Sequence, residues 1–215
     1  MEVGSLGLLS KSLSTAVRMK EFIIVVALLY TLSFLVGWYL TNIDVPLAIQ
    51  VKRSIHEAVL TKQPFISVID LLKRRELLGA IAVTFFVNLT FGAFLTTTLP
   101  GVVPLLGALV ICIVTLIRGF SIGVTYPEVL AASPASFLLG MGTLILELSA
   151  YVFSAAAGIN IATAPIFPKR YTVRSRVAAF KAAWIDAGRI FVIVAMFLIL
   201  GAVWEMTGLY LFTSG

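Results

Sequence analysis

The chain contains one cysteine, Cys112, and one histidine, His56, among 215 residues. That excludes a disulfide framework and a Cys/His metal cluster. Cys112 lies in an apolar run and reads as a small packing residue. His56 lies in a polar stretch and carries no expected site role. Charge is scarce as well. Only 12% of the residues are Asp, Glu, Lys or Arg, against about 25% in an ordinary soluble domain. Short segments of alternating apolar and polar residues, the mark of a transmembrane barrel, are missing. So is a small-residue cleavage site after a short apolar stretch, so the first apolar run is read as a retained span and not as a secretory leader. No internal repeat is visible.

What the chain has is apolar length. It is 60% hydrophobic with a mean hydropathy of +1.07. Residues 22–43, 77–117 and 190–204 carry no charge. About 20 apolar residues suffice to cross the hydrocarbon core as a helix. The sequence therefore predicts an all-α polytopic transmembrane bundle, a single membrane domain over 1–215. Spans are expected at about 22–40, 77–97, 103–123, 135–164 and 187–210. The fourth run is longer than one span needs, and a break near Gly158 would make six crossings.

Three connections are amphipathic. Residues 1–20 place Leu6, Leu9, Leu13 and Val17 on one stripe, which predicts a helix lying on the membrane. Residues 44–76 predict an interfacial helix pair broken at Pro64, because some 30 residues cannot bury a core of their own. "YPEVLAASP" is expected to connect spans three and four. Residues 166–186 place Val173, Val177, Phe180 and Trp184 at helical spacing. Lys169, Arg170, Arg174, Arg176 and Lys181 lie around them, which predicts a basic helix over 173–184 in the plane of an anionic leaflet. The net charge of +6 is thus read as orienting the chain against lipid, with no nucleic acid as partner. With five spans and a cytoplasmic N-terminus, nine Lys and Arg fall on inner segments: Lys11, Arg18, Lys20, Lys169, Arg170, Arg174, Arg176, Lys181 and Arg189. Six fall outside: Lys52, Arg53, Lys62, Lys73, Arg74 and Arg75.

Buried polar residues are the candidate site. Glu147 is the only charge between Val129 and Pro168. Thr143, Glu147, Ala150, Ser154 and Gly158 recur at steps of three and four, one small and polar stripe of a helix. Small residues let helices approach and polar ones bond across them, so Glu147 is expected to face other spans. Arg118 and Asn88 are its expected partners, and Glu205 competes for Arg118, because a charge in a span is costly unless paired. Such a cluster suits either a packing knot, an ion or proton path, or a polar contact to a partner. "GFSIG" at 119–123 matches the nucleophile motif G-x-S-x-G. That motif needs a strained turn and a nearby base, and the one histidine is far off in sequence, so hydrolase chemistry at Ser121 is a remote alternative. "NLT" at 88–90 fits a glycosylation pattern but lies inside a span.

"FFVNLTFGAF", "IRGFSIGV" and "LILELSAYVFSAAAG" resemble, in order and spacing, three signature segments of the stage II sporulation protein M family. Asn88, Gly119, Gly123, Glu147, Leu148 and Ala150 match. Arg118 stands where the family usually has Asn, Thr143 where it has His, and Ser149 where it has Pro. The resemblance covers about residues 75–210. It implies a multi-span cell-membrane protein with no established catalytic activity and no cofactor. The sporulation member acts in a membrane complex with peptidoglycan-cleaving partners, and relatives occur in organisms that form no spores. The chain is accordingly expected to be a non-enzymatic membrane subunit, self-associating or bound to other membrane proteins. A small channel or transporter using Asn88, Arg118 and Glu147 is the alternative.

Overall fold

The computed structural model describes residues 2–214, and the side chains of residues 7–212. The Leu6 side chain of the expected N-terminal stripe lies outside the described residues. Among the described residues eight α-helices follow in order: α1 Glu2–Arg18, α2 Lys20–Asn42, α3 Pro46–Thr61, α4 Phe65–Lys73, α5 Leu77–Val87, α6 Leu106–Ala132, α7 Pro134–Thr163 and α8 Arg176–Ser214. Among the described residues there is no strand. Five segments are long and apolar enough to cross a membrane: Lys20–Asn42, Leu77–Val102, Leu106–Ala132, Pro134–Thr163 and Arg176–Phe212. The fourth run is one unbroken helix of 30 residues, so it crosses once and the six-crossing option falls. α3 and α4 form the expected helix pair, divided at Gln63 and Pro64.

Other boundaries differ from the sequence reading. The connection expected at "YPEVLAASP" is helical, and α6 runs through Pro127 to Ala132. Proline is tolerated within membrane helices because neighbouring groups satisfy the freed backbone. Only Ser133 separates α6 from α7. Its hydroxyl accepts the backbone N–H of Ser136 at 3.0 Å, with Pro134 in the first helical position. That is a hydroxyl cap followed by a proline that needs no N–H partner.

The second span is not a uniform α-helix. From Asn88 to Thr98 it is π-helical, then 3₁₀ over Leu99–Val102. Hydroxyls are dense here and bond back to the chain: Thr96 to the Gly92 carbonyl, and Thr97 and Thr98 both to the Ala93 carbonyl. Such bonds compete with the regular ladder and widen the turn.

The helix expected over 173–184 is not a separate element: it begins at Arg176 as the start of α8. Lys169 and Arg170 lie in a 3₁₀ turn, Pro168–Tyr171, closed by Thr172 at a left-handed φ of 55°. Arg174 is outside any helix. Arg176 and Lys181 belong to α8, which continues without a break through the last span. Nothing between Trp184 and Ala187 breaks a helix, and alanine favours continuation. Of the expected stripe, Val177 is exposed and Val173, Phe180 and Trp184 are half-buried. Ala179, Ala183 and Ala187 are buried, whereas Val177 is 63% and Ile185 59% exposed. Among lipids the small side chains go to the helix interface and the large ones face out.

The chain forms two compact units. Unit 1 comprises Met1–Leu29, Leu89–Leu116 and Ser149–Phe197; unit 2 comprises Tyr30–Asn88, Ile117–Leu148 and Leu198–Gly215. In unit 1 the C-terminal half of α7 is nearly all buried, from Ala150 through Ala162. Ser154 shares a hydrogen bond with the Thr97 hydroxyl at 2.8 Å and accepts the Thr98 hydroxyl on its carbonyl at 3.0 Å. Gly158 faces the Thr97 carbonyl and Gly101 faces Gly158, each closer than a Cβ would allow.

In unit 2, α2 and α6 meet on glycine. A Cβ at Gly123 would fall on the Phe34 carbonyl, one at Gly119 on Ser33, and one at Gly37 would sit 2.5 Å from the Phe120 carbonyl. Gly119 and Gly123 stand four apart, the spacing that lets membrane helices touch backbone to backbone. Gly123→Val is expected to cost about 3 kcal/mol or more, because the obstacle is backbone and cannot rotate away. Gly188→Val should be near neutral, since nothing lies within 4 Å of its Cβ position. Melting of both variants in mild detergent checks this; equal losses would remove the close-crossing argument.

Candidate functional site

Unit 2 assembles the polar residues singled out in the sequence. Asn88 ends α5 where the wide turn begins. Its Nδ2 donates to Glu147 Oε1 on α7 at 2.6 Å. Arg118 on α6 and Glu205 on α8 both act electrostatically on the Glu147 carboxylate. Glu205 is thus a member of the cluster and not merely a competitor for Arg118. Gly201 on α8 leaves room for the Glu147 stem; a Cβ there would lie 3.4 Å from Glu147 Cγ. One turn before Glu147, the Thr143 hydroxyl is buried and makes no hydrogen bond among the described residues.

The cluster opens on a cavity of about 320 Å³. Asn88, Glu147 and Glu205 supply its main polar groups. Phe65 and Val68 of α4 and Met206 of α8 form apolar wall. The amphipathic pair α3–α4 therefore covers the acids with hydrophobic side chains. Lys52 of α3 also pairs with Glu128 of α6. Such a hollow, mostly apolar with a few convergent polar groups, is the usual form of a small-ligand site.

The expected stripe on α7 divides between the units. Thr143 and Glu147 belong to unit 2, and Ala150, Ser154 and Gly158 to unit 1. Ser154 is occupied with Thr97 and Thr98, which makes it a packing residue. Ser121 lies within the regular helix α6, where its carbonyl accepts the Thr125 hydroxyl. The strained turn that exposes a nucleophilic serine is not there. His56 is exposed on α3. Among the described residues no three His, Cys, Asp or Glu side chains gather as a metal would need.

Unit 1 holds a second polar cluster that the sequence reading missed. Asp186 on α8 is 4% exposed. Its Oδ1 accepts Arg18 at 2.7 Å and Arg189 at 3.2 Å. The Tyr171 hydroxyl bonds to Asp186 as well, and Asn160, buried on α7, donates to that hydroxyl at 2.6 Å. Burial pushes the Tyr171 phenol above its usual value, and the Asp186 charge adds to this against the Asn160 bond. A signal for this cluster existed. Asp186 is the only acid from residue 148 to residue 204, and Asn160 interrupts a wholly apolar stretch.

Arg170 stands beside this network. Its guanidinium lies 4.3 Å from the centre of the Phe22 ring, donates to the Arg18 carbonyl at 3.2 Å and is 3.9 Å from Glu21. The two clusters thus use long-range side-chain pairs on a frame of apolar helices, which is what a polytopic membrane protein can do with few charges.

No curated protein and no solved structure matches the chain. The family model described as Stage II sporulation protein M matches residues 26–207, from α2 almost to the end of α8. That range takes in the glycine crossing of α2 with α6, the Asn88–Glu147 bond and Glu205, well beyond the three segments that carry the resemblance. With five helices fit to cross a membrane and this match over most of its length, the chain is a membrane protein of the Stage II sporulation protein M family.

Proposed function

We propose that the chain, acting as one membrane domain over 1–215, is a non-enzymatic subunit of a cell-membrane complex. The observation that carries this reading is an open apolar groove of about 470 Å³ in unit 2, lined by residues of α7 and α8 including Leu138, Trp204 and Phe212. The small residues Ala135 and Gly208 are part of its lining, and small residues let another membrane helix approach. Trp204 is fixed there by its Nε1 bond to the Leu139 carbonyl at 3.1 Å. The occupant is a transmembrane helix of a partner protein. Ser121 in a regular helix speaks against hydrolase chemistry. The nine basic residues of unit 1 support a cytoplasmic N-terminus. A photo-crosslinking residue at Leu138, activated in native membranes, should capture a distinct polypeptide, and one at the exposed Leu109 of unit 1 should not. Adducts to lipid alone at Leu138 would reject the reading; adducts to the chain itself would make the partner a second copy.

The second reading, a small channel or transporter, is favoured by one observation. Two carboxylates line a cavity in a membrane protein, and the Arg118 guanidinium acts electrostatically on one of them. With both acids ionised the cluster is one positive charge short, and a proton would balance it. In proteoliposomes with an internal pH dye, Glu147→Gln and Glu205→Gln should then each abolish a flux that the unmodified protein shows. No flux above empty liposomes removes this reading and leaves the subunit reading standing.

A further inference from the structure

The net charge of the molecule resides in one of its units. Unit 1 carries nine Lys and Arg residues against three acids, Glu2, Glu21 and Asp186, a net of +6. Unit 2 carries seven of each sign and is neutral. Two acids of unit 1 are already engaged: Asp186 with Arg18 and Arg189, and Glu21 with Arg170. Lys11, Lys20, Lys169, Arg174, Arg176 and Lys181 are exposed and pair with no carboxylate among the described residues. Six uncompensated cations on one compact unit are far more than a solvent-facing surface of either sign needs.

Exposed apolar side chains interleave with them. α1 buries Ser12 and Thr15 and turns Leu13 and Val17 outward, the latter 67% exposed. Phe167 beside Lys169 is 61% exposed and Val177 beside Arg176 63% exposed. A soluble acidic protein would be met by charges without this apolar relief. The border of a bilayer, with acyl chains below and phosphates above, meets both.

One place in this surface is shaped. A cavity of about 190 Å³ is lined by Phe22, Thr163, Ala164, Phe167 and Arg170. Its walls are largely apolar and Arg170 is its one cation. Arg170 is held by the Arg18 carbonyl, by the Phe22 ring that also lines the cavity and by Glu21 at 3.9 Å, and the following Tyr171 is tied to Asn160. The guanidinium is therefore positioned before any ligand arrives. A planar guanidinium suits the two free oxygens of a phosphodiester, and the apolar walls suit the top of an acyl chain.

We infer that unit 1 binds anionic phospholipid, with Arg170 at this cavity as the anchor for the headgroup phosphate and the six unpaired cations as its attracting field. The shared chemistry with free phosphate is the anion itself; the lipid is distinguished by its need for the apolar walls. Delipidated protein in mild detergent would be titrated with dioleoylphosphatidylglycerol or dioleoylphosphatidylcholine and bound lipid counted by native mass spectrometry. Phosphatidylglycerol is expected to be retained well above phosphatidylcholine, with the preference fading between about 50 and about 500 mM NaCl. Arg170→Gln should lower phosphatidylglycerol retention about fivefold, the equivalent of about 1 kcal/mol for one basic residue at an anionic surface. The double variant Lys169→Gln, Arg174→Gln leaves every Arg170 contact in place and should also weaken retention, while Arg74→Gln, at the exposed residue that follows α4 in unit 2, should not. Equal retention of the two lipids, an equal loss in Arg74→Gln, or full displacement of phosphatidylglycerol by inorganic phosphate would overturn the proposal.

Discussion

Asp186→Ala is expected to lower the stability of the protein by roughly 3 kcal/mol, read as a fall of about 6–12 °C in melting temperature in mild detergent. The carboxylate is buried and accepts two arginines on one oxygen, at 2.7 and 3.2 Å. Bonds to charged groups contribute about 1.5–3 kcal/mol each, and two are lost. The loss stays below a simple doubling because Arg18 and Arg189 keep 56% and 37% of their side-chain surface exposed, so both can regain water. Arg18→Gln should cost less than Asp186→Ala, since Arg189 remains on the carboxylate. The double variant should cost less than the sum by about 1 kcal/mol or more. Additive costs would show that the 168-residue link between α1 and α8 does nothing for stability. The Tyr171 bond adds a pH signature. With its phenol raised by burial, the Tyr171 contribution is fully present below the ordinary tyrosine value near about 10 and is lost only as pH climbs through the raised one. Melting of the unmodified protein should therefore not change from this source at neutral pH.

What could be read from the sequence, and what could not, follows from the range of the interaction. Uncharged runs are local, and they announced five crossings. Pro64 announced the break between α3 and α4. Helix ends depended on weaker signals. Pro127 reads as a stop in water but passes within a membrane helix, and the true stop was the hydroxyl cap of Ser133 six residues later. Over 173–184 the apolar stripe did not show that the helix continues into the last span. In lipid, Val177 and Ile185 gain nothing by turning inward, and the alanines between them make the interface. The stripe of Thr143, Glu147 and Ala150 was legible for the same reason, being small and polar on one face. Asp186 escaped because its partner Arg18 lies at the other end of the chain, and because it closed a segment otherwise taken as basic. The hydroxyl-rich π-helical turn at 88–98 has no period that a helical wheel would notice.

Arg118→Gln is expected to be the most damaging single polar substitution in unit 2, at about 3–5 kcal/mol. Glu147 feels the charges of both Arg118 and Glu205, so removing the guanidinium leaves two carboxylates facing one another in a mostly apolar surrounding. Glu147→Gln should cost less, about 2 kcal/mol, because it loses the charge on the Asn88 bond yet leaves Glu205 for Arg118. Asn88→Leu should fall near the Glu147→Gln value, since it removes the neutral donor of the 2.6 Å bond whereas Glu147→Gln removes the charge of its acceptor. The decisive comparison is between two double variants measured by detergent melting. Arg118→Gln with Glu147→Gln, and Arg118→Gln with Glu205→Gln, should each recover part of the Arg118→Gln loss, because each removes one of the repelling acids. Recovery in the first and none in the second would place the Arg118 interaction on Glu147 alone. No recovery in either would mean that Arg118 stabilises through groups other than these acids. If both doubles regain stability but the photo-crosslink from Leu138 disappears, the cluster also sets the α7–α8 groove that receives the partner. If the crosslink survives and a proton flux is lost, the cluster belongs to the transport reading instead.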